Sequence, residues 1–183
     1  MKLFSRKWHD SWRPTAYYEG VEHVPLLEYY NNGIRLALLD IDNTLMPHGH
    51  SSGQYTARTA LARVRATGLE PVILSNAKRE RARSVAEDLG APVIGMAMKP
   101  SPRGIEEAMK LTGYTPEQTI LIGDQIFTDI WAGRRAGIPS ILVRPMQLEG
   151  EPIQIIIKRK LERWLFRRFK CKPTYDDFLK NHS

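Results

Sequence analysis

Two carboxylates, Asp40 and Asp42, stand two residues apart directly after an apolar run made of Ile34, Leu36, Ala37, Leu38 and Leu39. A short apolar run bounded by polar turn residues reads as a buried strand of a parallel sheet. The carboxyl end of such a strand is where open α/β sheets hold their ligands. Bare acids at this spacing repel each other and resist desolvation, and a divalent cation relieves both problems. Further polar groups follow other short apolar runs: Ser75 and Asn76 after residues 71–74, Lys99 after residues 92–95, and Asp124 with Asp129 after residues 119–122. Acids from the first and fourth of these positions can bind a hard, oxygen-seeking cation such as Mg²⁺, which shares carboxylates with a substrate phosphate. A hydroxyl at a helix N-terminus donates to a phosphate oxygen, and a lysine neutralises charge on a nucleophile and a transferring group. The set as a whole suits phosphoryl chemistry.

The elements that must carry these residues alternate along the chain. Ala57, Ala60, Leu61 and Val64 recur at helical spacing before Gly68, and Ala82, Val85, Ala86 and Leu89 do so before Gly90. Ser101 as N-cap and Pro102 at the first helical position open a helix bearing Ile105, Ala108 and Met109, which Gly113 stops. Another helix follows Asp129 and runs to Gly137, and residues 140–143 form a fifth strand. Strand and helix alternating over short loops predict an α/β fold, a doubly wound, Rossmann-like parallel sheet with right-handed crossovers. That core spans residues 34–150, between an irregular basic and aromatic arm over 1–33 and a basic amphipathic helix and tail over 151–183. The stretch 45–70 has room for one helix, and 76–99 for one helix and one strand. A covering cap needs on the order of 40 residues or more to hold its own core, so the site is expected to lie open, as suits a phosphate on a large substrate. His48 and His50 sit in a glycine-rich loop without further ligands at metal spacing and read as a solvated loop at the site mouth.

The 183 residues carry a net charge of +7, unevenly placed: +3 over residues 1–13, −1 over 14–150, +6 over 151–172 and −1 over 173–183. A neutral body with basic ends points to a polyanionic surface as partner. In the basic helix, Ile153, Ile156, Ile157, Leu161, Trp164 and Leu165 share one face opposite Lys and Arg, with Lys160 and Arg168 intruding. That pattern fits an interfacial helix over residues 152–170 on an anionic membrane, and equally a stripe packed on protein. Trp8, Trp12, Arg13, Tyr17 and Tyr18 in the arm fit either a headgroup-level contact or packing on the domain. The single cysteine, Cys171, cannot form an internal disulfide, no apolar run reaches membrane-spanning length, and the opening residues lack the apolar core of a secretory signal. The expectation is a cytoplasmic protein, peripheral on the inner face of the membrane.

In order and spacing the four motifs resemble those of the haloacid dehalogenase superfamily of phosphotransferases, across about 100 residues from Ile34 to Val143. The resemblance implies Asp40 as the nucleophile that forms an aspartyl-phosphate and Asp42 as general acid and then base. It implies Mg²⁺ held by Asp40, Asp124 and the backbone carbonyl of Asp42. Ser75, Asn76 and Lys99 then bind phosphate, Lys99 also serves catalysis, Thr44 supports the turn, and Asp129 is a supporting acid. An aspartate two places after the nucleophile is the phosphatase pattern. The capless spacing, the Gly-Asp-Gln and Thr-Asp pairs, the Ala-Gly-Arg-Arg-Ala-Gly run and the basic terminal helix resemble the capless class III phosphatases related to phosphatidylglycerophosphate phosphatase. That closer resemblance implies phosphatidylglycerophosphate as substrate and phosphatidylglycerol as product. Two alternatives stay open: a capless phosphatase of soluble sugar or nucleotide phosphates, and a non-catalytic module whose basic ends grip nucleic acid. No nucleic-acid-binding motif supports the latter.

Overall fold

The computed structural model describes residues 12–47, 54–147, 160–162, 164 and 175–176. Seven strands form one sheet: β1 (Ala16–Tyr18), β2 (Leu36–Leu39), β3 (Glu70–Leu74), β4 (Val93–Ile94), β5 (Thr119–Gly123), β6 (Ser140–Val143) and β7 (Tyr175–Asp176), in the spatial order β4-β3-β2-β5-β6-β1-β7. All neighbours run parallel except β7, which pairs antiparallel with β1. The helices are α1 (Leu26–Asn31), α2 (Gln54–Ala66), α3 (Arg79–Leu89), α4 (Arg103–Thr112) and α5 (Trp131–Ala136).

Period-two alternation divides the core into two layers. Ala37 and Leu39 of β2, Ile73 of β3 and Ile120 and Ile122 of β5 pack on one face with Ala57, Leu61 and Val64 of α2 and Ala86 and Leu89 of α3. Leu36, Leu38, Val72, Leu74 and Leu121 point to the other face, against Ile105 and Ala108 of α4 and Ala132 of α5. Helices on both faces bury both sides of the central strands, which explains why these strands are continuously apolar. Strand order reverses direction between β2 and β5, so the crevice at their carboxyl ends is the place where such a sheet accepts a ligand.

Three expectations change. The expected arm over residues 1–33 is not wholly irregular: Ala16–Tyr18 is a strand paired in parallel with β6, and Val21, Val24, Leu26 and Tyr29 are core residues. A three-residue strand has no readable period, and its partner lies more than a hundred residues away. The aromatic side chains described there pack on the domain: Trp12 meets the Phe127 and Trp131 rings edge-on at 5.2 and 5.7 Å, and Tyr18 is buried. The segment after β5 opens with a π-helical turn over Ile126–Ile130 before α5 begins. Finally, α4 starts at Arg103 with Pro102 as its cap residue, while Ser101 Oγ accepts the Arg103 N–H at 3.4 Å.

Most of the basic terminal segment, together with His48 and His50, lies outside the described residues. Residues 160–162 and 164 are helical, with Leu161 and Trp164 exposed and Glu162 buried. The Phe127 N–H donates to Glu162 Oε1 at 3.0 Å. This part of the helix therefore docks through its glutamate and shows two apolar side chains of its stripe to solvent. Among the described residues no helix is long and apolar enough to cross a membrane.

Candidate active site

Asp40 follows the last residue of β2, and its N–H still donates to Ile122 O of β5 at 3.0 Å, so the sheet ladder holds its backbone. The chain then turns tightly. The N–H groups of Thr44, Leu45 and Met46 all donate to Ile41 O, and Asn43 takes a positive φ of 62°, which asparagine tolerates better than most residues. Thr44, expected to support this turn, also donates from Oγ1 to Asp124 Oδ1 at 3.4 Å and so joins the nucleophile loop to β5.

Lys99 is the centre of the buried site. Its Nζ donates to Asp40 Oδ1 at 2.5 Å, Asp129 Oδ1 at 2.7 Å and Leu74 O at 2.9 Å, which engages all three ammonium protons. Asn76 holds the backbone behind it: Asn76 Nδ2 donates to Lys99 O at 2.9 Å and the Lys99 N–H donates to Asn76 Oδ1 at 2.8 Å. The side chain expected to bind phosphate is thus used at both ends to position Lys99. Ser75 is buried beside them, its Oγ accepting the Ala77 N–H at 3.1 Å, and a hydroxyl that accepts keeps its own proton to donate.

Asp129 reaches the site through the π-helical turn. Besides Lys99, it accepts the Gln125 N–H at 3.0 Å and the Thr128 hydroxyl at 3.4 Å, both on Oδ2. Only glycine at position 123 leaves it room, because a Cβ there would stand 2.3 Å from Asp129 Cγ.

The electrostatics follow from burial. Desolvation pushes the Asp40 carboxyl up to about 7, against the lowering pull of Lys99 and with added repulsion from Asp129 and Asp42. Burial alone pulls the Lys99 ammonium down, but Asp129 and Asp40 outweigh it and hold the group above its usual range. Asp40, Asp124 and Asp129 each bring one carboxylate oxygen within 4.8 Å of the others, and all three are buried. Three acids facing one lysine leave negative charge uncompensated, and the donors are all oxygen. This set fits a hard divalent cation such as Mg²⁺. Asp40 and Asp124 are the residues that would hold it, since Asp129 is already occupied by Lys99, Gln125 and Thr128.

Asp42 is paired with Arg81. Arg81 Nη2 donates to Asp42 Oδ1 at 2.6 Å and Nη1 to Oδ2 at 3.3 Å, at the exposed rim of the site. Sequence reasoning passed over Arg81, since one arginine among several on a polar helix reads as a solvated face. Gly123 was also missed, its requirement being steric and set by a residue six places on. The stretches between motifs contain only α2, and α3 with β4, so among the described residues no separate domain covers the crevice.

Residues 54–137 match the model of the haloacid dehalogenase-like hydrolases. That span includes Ser75, Lys99, Asp124 and Asp129, and the fold places Asp40 and Asp42 beside them. The chain is 25% identical over 159 residues to the Bacillus subtilis protein named probable phosphatase YqeG, covering 87% of this chain and 92% of that one. It is 29% identical over 157 residues to the chloroplastic phosphatidylglycerophosphate phosphatase 1 of Chlamydomonas reinhardtii, covering 80% of this chain but only 58% of the algal protein. A crystal structure of an uncharacterized protein from Listeria monocytogenes serotype 4b shares the fold, with a TM-score of 0.51 and 18% identity over 65% of this chain and 85% of the other. With acids and a lysine gathered at the switch point of a doubly wound sheet, residues 54–137 resemble the haloacid dehalogenase-like hydrolases, and the site together with its phosphatase-named relatives supports phosphatase activity.

Proposed function

We propose that the protein removes the phosphomonoester of a membrane phospholipid, taking phosphatidylglycerophosphate to phosphatidylglycerol. The observation that carries this reading is a buried Asp40–Lys99–Asp129 cluster opening, with no covering domain among the described residues, onto a rim that is both cationic and apolar. Arg81 lies on that rim, and Met96 and Met98, 53% and 63% exposed, stand just before Lys99 on a loop tied to the Ser75 loop through Met96 N to Ala77 O and Ala97 N to Ser75 O. Both methionines hold positive φ values of 51° and 54°, a costly conformation for side chains of this size. Exposed methionines on a loop tied to the Ser75 loop suit a lipid–water boundary, as do Leu161 and Trp164 on the terminal helix. The Chlamydomonas relative, named for this substrate, supports the same reading.

Each residue takes one part in the reaction. A carboxylate oxygen of Asp40 attacks phosphorus, and the bond to the lipid alkoxide breaks as Asp42 protonates the leaving oxygen. Water, deprotonated by Asp42, then attacks the aspartyl-phosphate, releasing inorganic phosphate and restoring Asp40. Ser75 donates to a phosphate oxygen, while Lys99 keeps Asp40 aimed and offsets the charge gathered on the transferring group. Mg²⁺ held by Asp40 and Asp124 supplies the remaining positive charge when bound.

Phosphate release with Mg²⁺ from phosphatidylglycerophosphate in anionic vesicles, set beside nucleotide, sugar-phosphate and phosphoprotein substrates, tests the reading. The lipid is expected to give the highest kcat/KM. A higher value on a soluble sugar or nucleotide phosphate overturns the lipid assignment and leaves a capless phosphatase of small esters.

A further inference from the structure

Arg81 sits in the first turn of α3 with its side chain 43% exposed, and its fork takes up both carboxylate oxygens of Asp42, itself 19% exposed. This arrangement conflicts with the work assigned to Asp42. To pass a proton to or from a leaving-group oxygen, at least one carboxylate oxygen must turn to the substrate. The arginine of this pair is solvent-accessible, so its fork can exchange one anion for another. The anion that best replaces a carboxylate in a guanidinium fork is a phosphate group, which matches the same paired geometry.

That phosphate is not the scissile one, which belongs on the buried floor with Asp40, Ser75 and Lys99. Arg81 stands at the rim beside the general acid, and hence on the side where the leaving group departs. Lys78, Arg79 and Arg83 are exposed nearby, against the single acid Glu80, so the field along this edge is positive.

We propose that Arg81 is the specificity residue of this enzyme: its fork passes from Asp42 to a second anionic group on the leaving portion of the substrate, a phosphodiester, and in doing so frees Asp42 for the reaction. The inference rests on the lipid reading, because phosphatidylglycerophosphate carries a diester at the other end of the glycerol that bears the scissile monoester. It adds to that reading a residue, a recognised group and a consequence. Substrates without the second anion bind while Asp42 stays held by Arg81.

The test compares two soluble substrates with Mg²⁺ in the full chain: deacylated phosphatidylglycerophosphate, which has both the diester and the monoester, and glycerol 3-phosphate, which has only the monoester. The readout is the ratio of their kcat/KM values, which cancels any general disturbance of Asp42. Arg81→Gln should lower that ratio roughly ten- to hundredfold, the range for losing a charge-assisted hydrogen bond. The loss should lie mainly in KM for the diester substrate. Arg81→Glu should lower the ratio further by repelling the diester. Equal losses on both substrates mean that Arg81 only orients Asp42 and overturn the inference, as does a glutamate variant no worse in ratio than the glutamine variant. The lipid reading fails separately, and takes the inference with it, if wild-type protein releases phosphate from glycerol 3-phosphate but from neither the deacylated nor the intact lipid.

Discussion

Replacing Lys99 with methionine removes the ammonium while keeping a side chain of similar length, and its cost can be worked from three contacts. Asp40 loses a donor at 2.5 Å, Asp129 one at 2.7 Å and Leu74 O one at 2.9 Å, all in a pocket where the lysine side chain is 2% exposed. Removing one partner of a buried ion pair costs about 3–5 kcal/mol, because the remaining charge stays desolvated. Protonation limits that cost, and the limit depends on pH. In the wild type without metal, Asp40 has a folded-state value of about 7 against 3.8 for an ordinary aspartate. Its protonated form therefore favours folding below 3.8, and that contribution is lost as pH rises to about 7 and then levels off. Without Lys99, the largest influence holding Asp40 down is gone, so in the variant the decline continues above 7. The stability difference between the two proteins should thus widen by about 1.4 kcal/mol per pH unit above 7 until the variant's own Asp40 ionises. Urea unfolding of both proteins at pH 6, 7, 8 and 9 with a chelator present measures this. A difference that stays flat over that range, or shrinks, refutes the account of Lys99 as the counterion of a desolvated Asp40.

Asp40→Asn should abolish phosphate release while leaving the circular dichroism spectrum unchanged, and Asp42→Asn should slow turnover by about 10² to 10⁴; wild-type rates in either would remove that residue from the mechanism. Asp124→Asn should raise the Mg²⁺ concentration needed for half-maximal activity, read by metal titration, since one hard oxygen donor becomes a neutral amide. Gly123→Ala should push Asp129 away from Lys99, because the new Cβ falls 2.3 Å from Asp129 Cγ. A loss of about 1–3 kcal/mol and a marked fall in kcat are expected, and a variant with normal kcat would show that the position of Asp129 does not matter. Leu161→Ser with Trp164→Ser should weaken sedimentation with anionic vesicles and slow hydrolysis of vesicle-borne lipid, while soluble-ester hydrolysis continues. This pair is a cleaner probe than deleting the helix, which would also remove the Glu162 bond to Phe127 beside the Asp129 turn. Equal vesicle binding by variant and wild type would remove these side chains from any interfacial role.

The central strands and the polar residues at their ends were legible in the chain because both depend on local pattern. A strand buried on two faces must be apolar throughout, so residues 36–39, 71–74 and 119–122 were readable without partners, and so were Asp40, Ser75 and Asp124 beyond their ends. Helix ends were equally local: Gly90 closes α3 with a φ of 61°, where a residue with a side chain is strained. Tertiary structure decided whatever depends on a partner remote in sequence. Ala16–Tyr18 becomes a strand only because β6 offers it an edge, and three residues carry no period of their own. Asn76 acts as a clamp because the Lys99 backbone, 23 residues on, meets both ends of its amide. Arg81 and Asp42 lie 39 residues apart, on a helix and a loop that only the packing of α3 brings together. An apolar strand meets the same requirement whatever covers it, so one stretch of sequence reveals it; a hydrogen bond needs one particular partner at one angle, and only the folded chain supplies that.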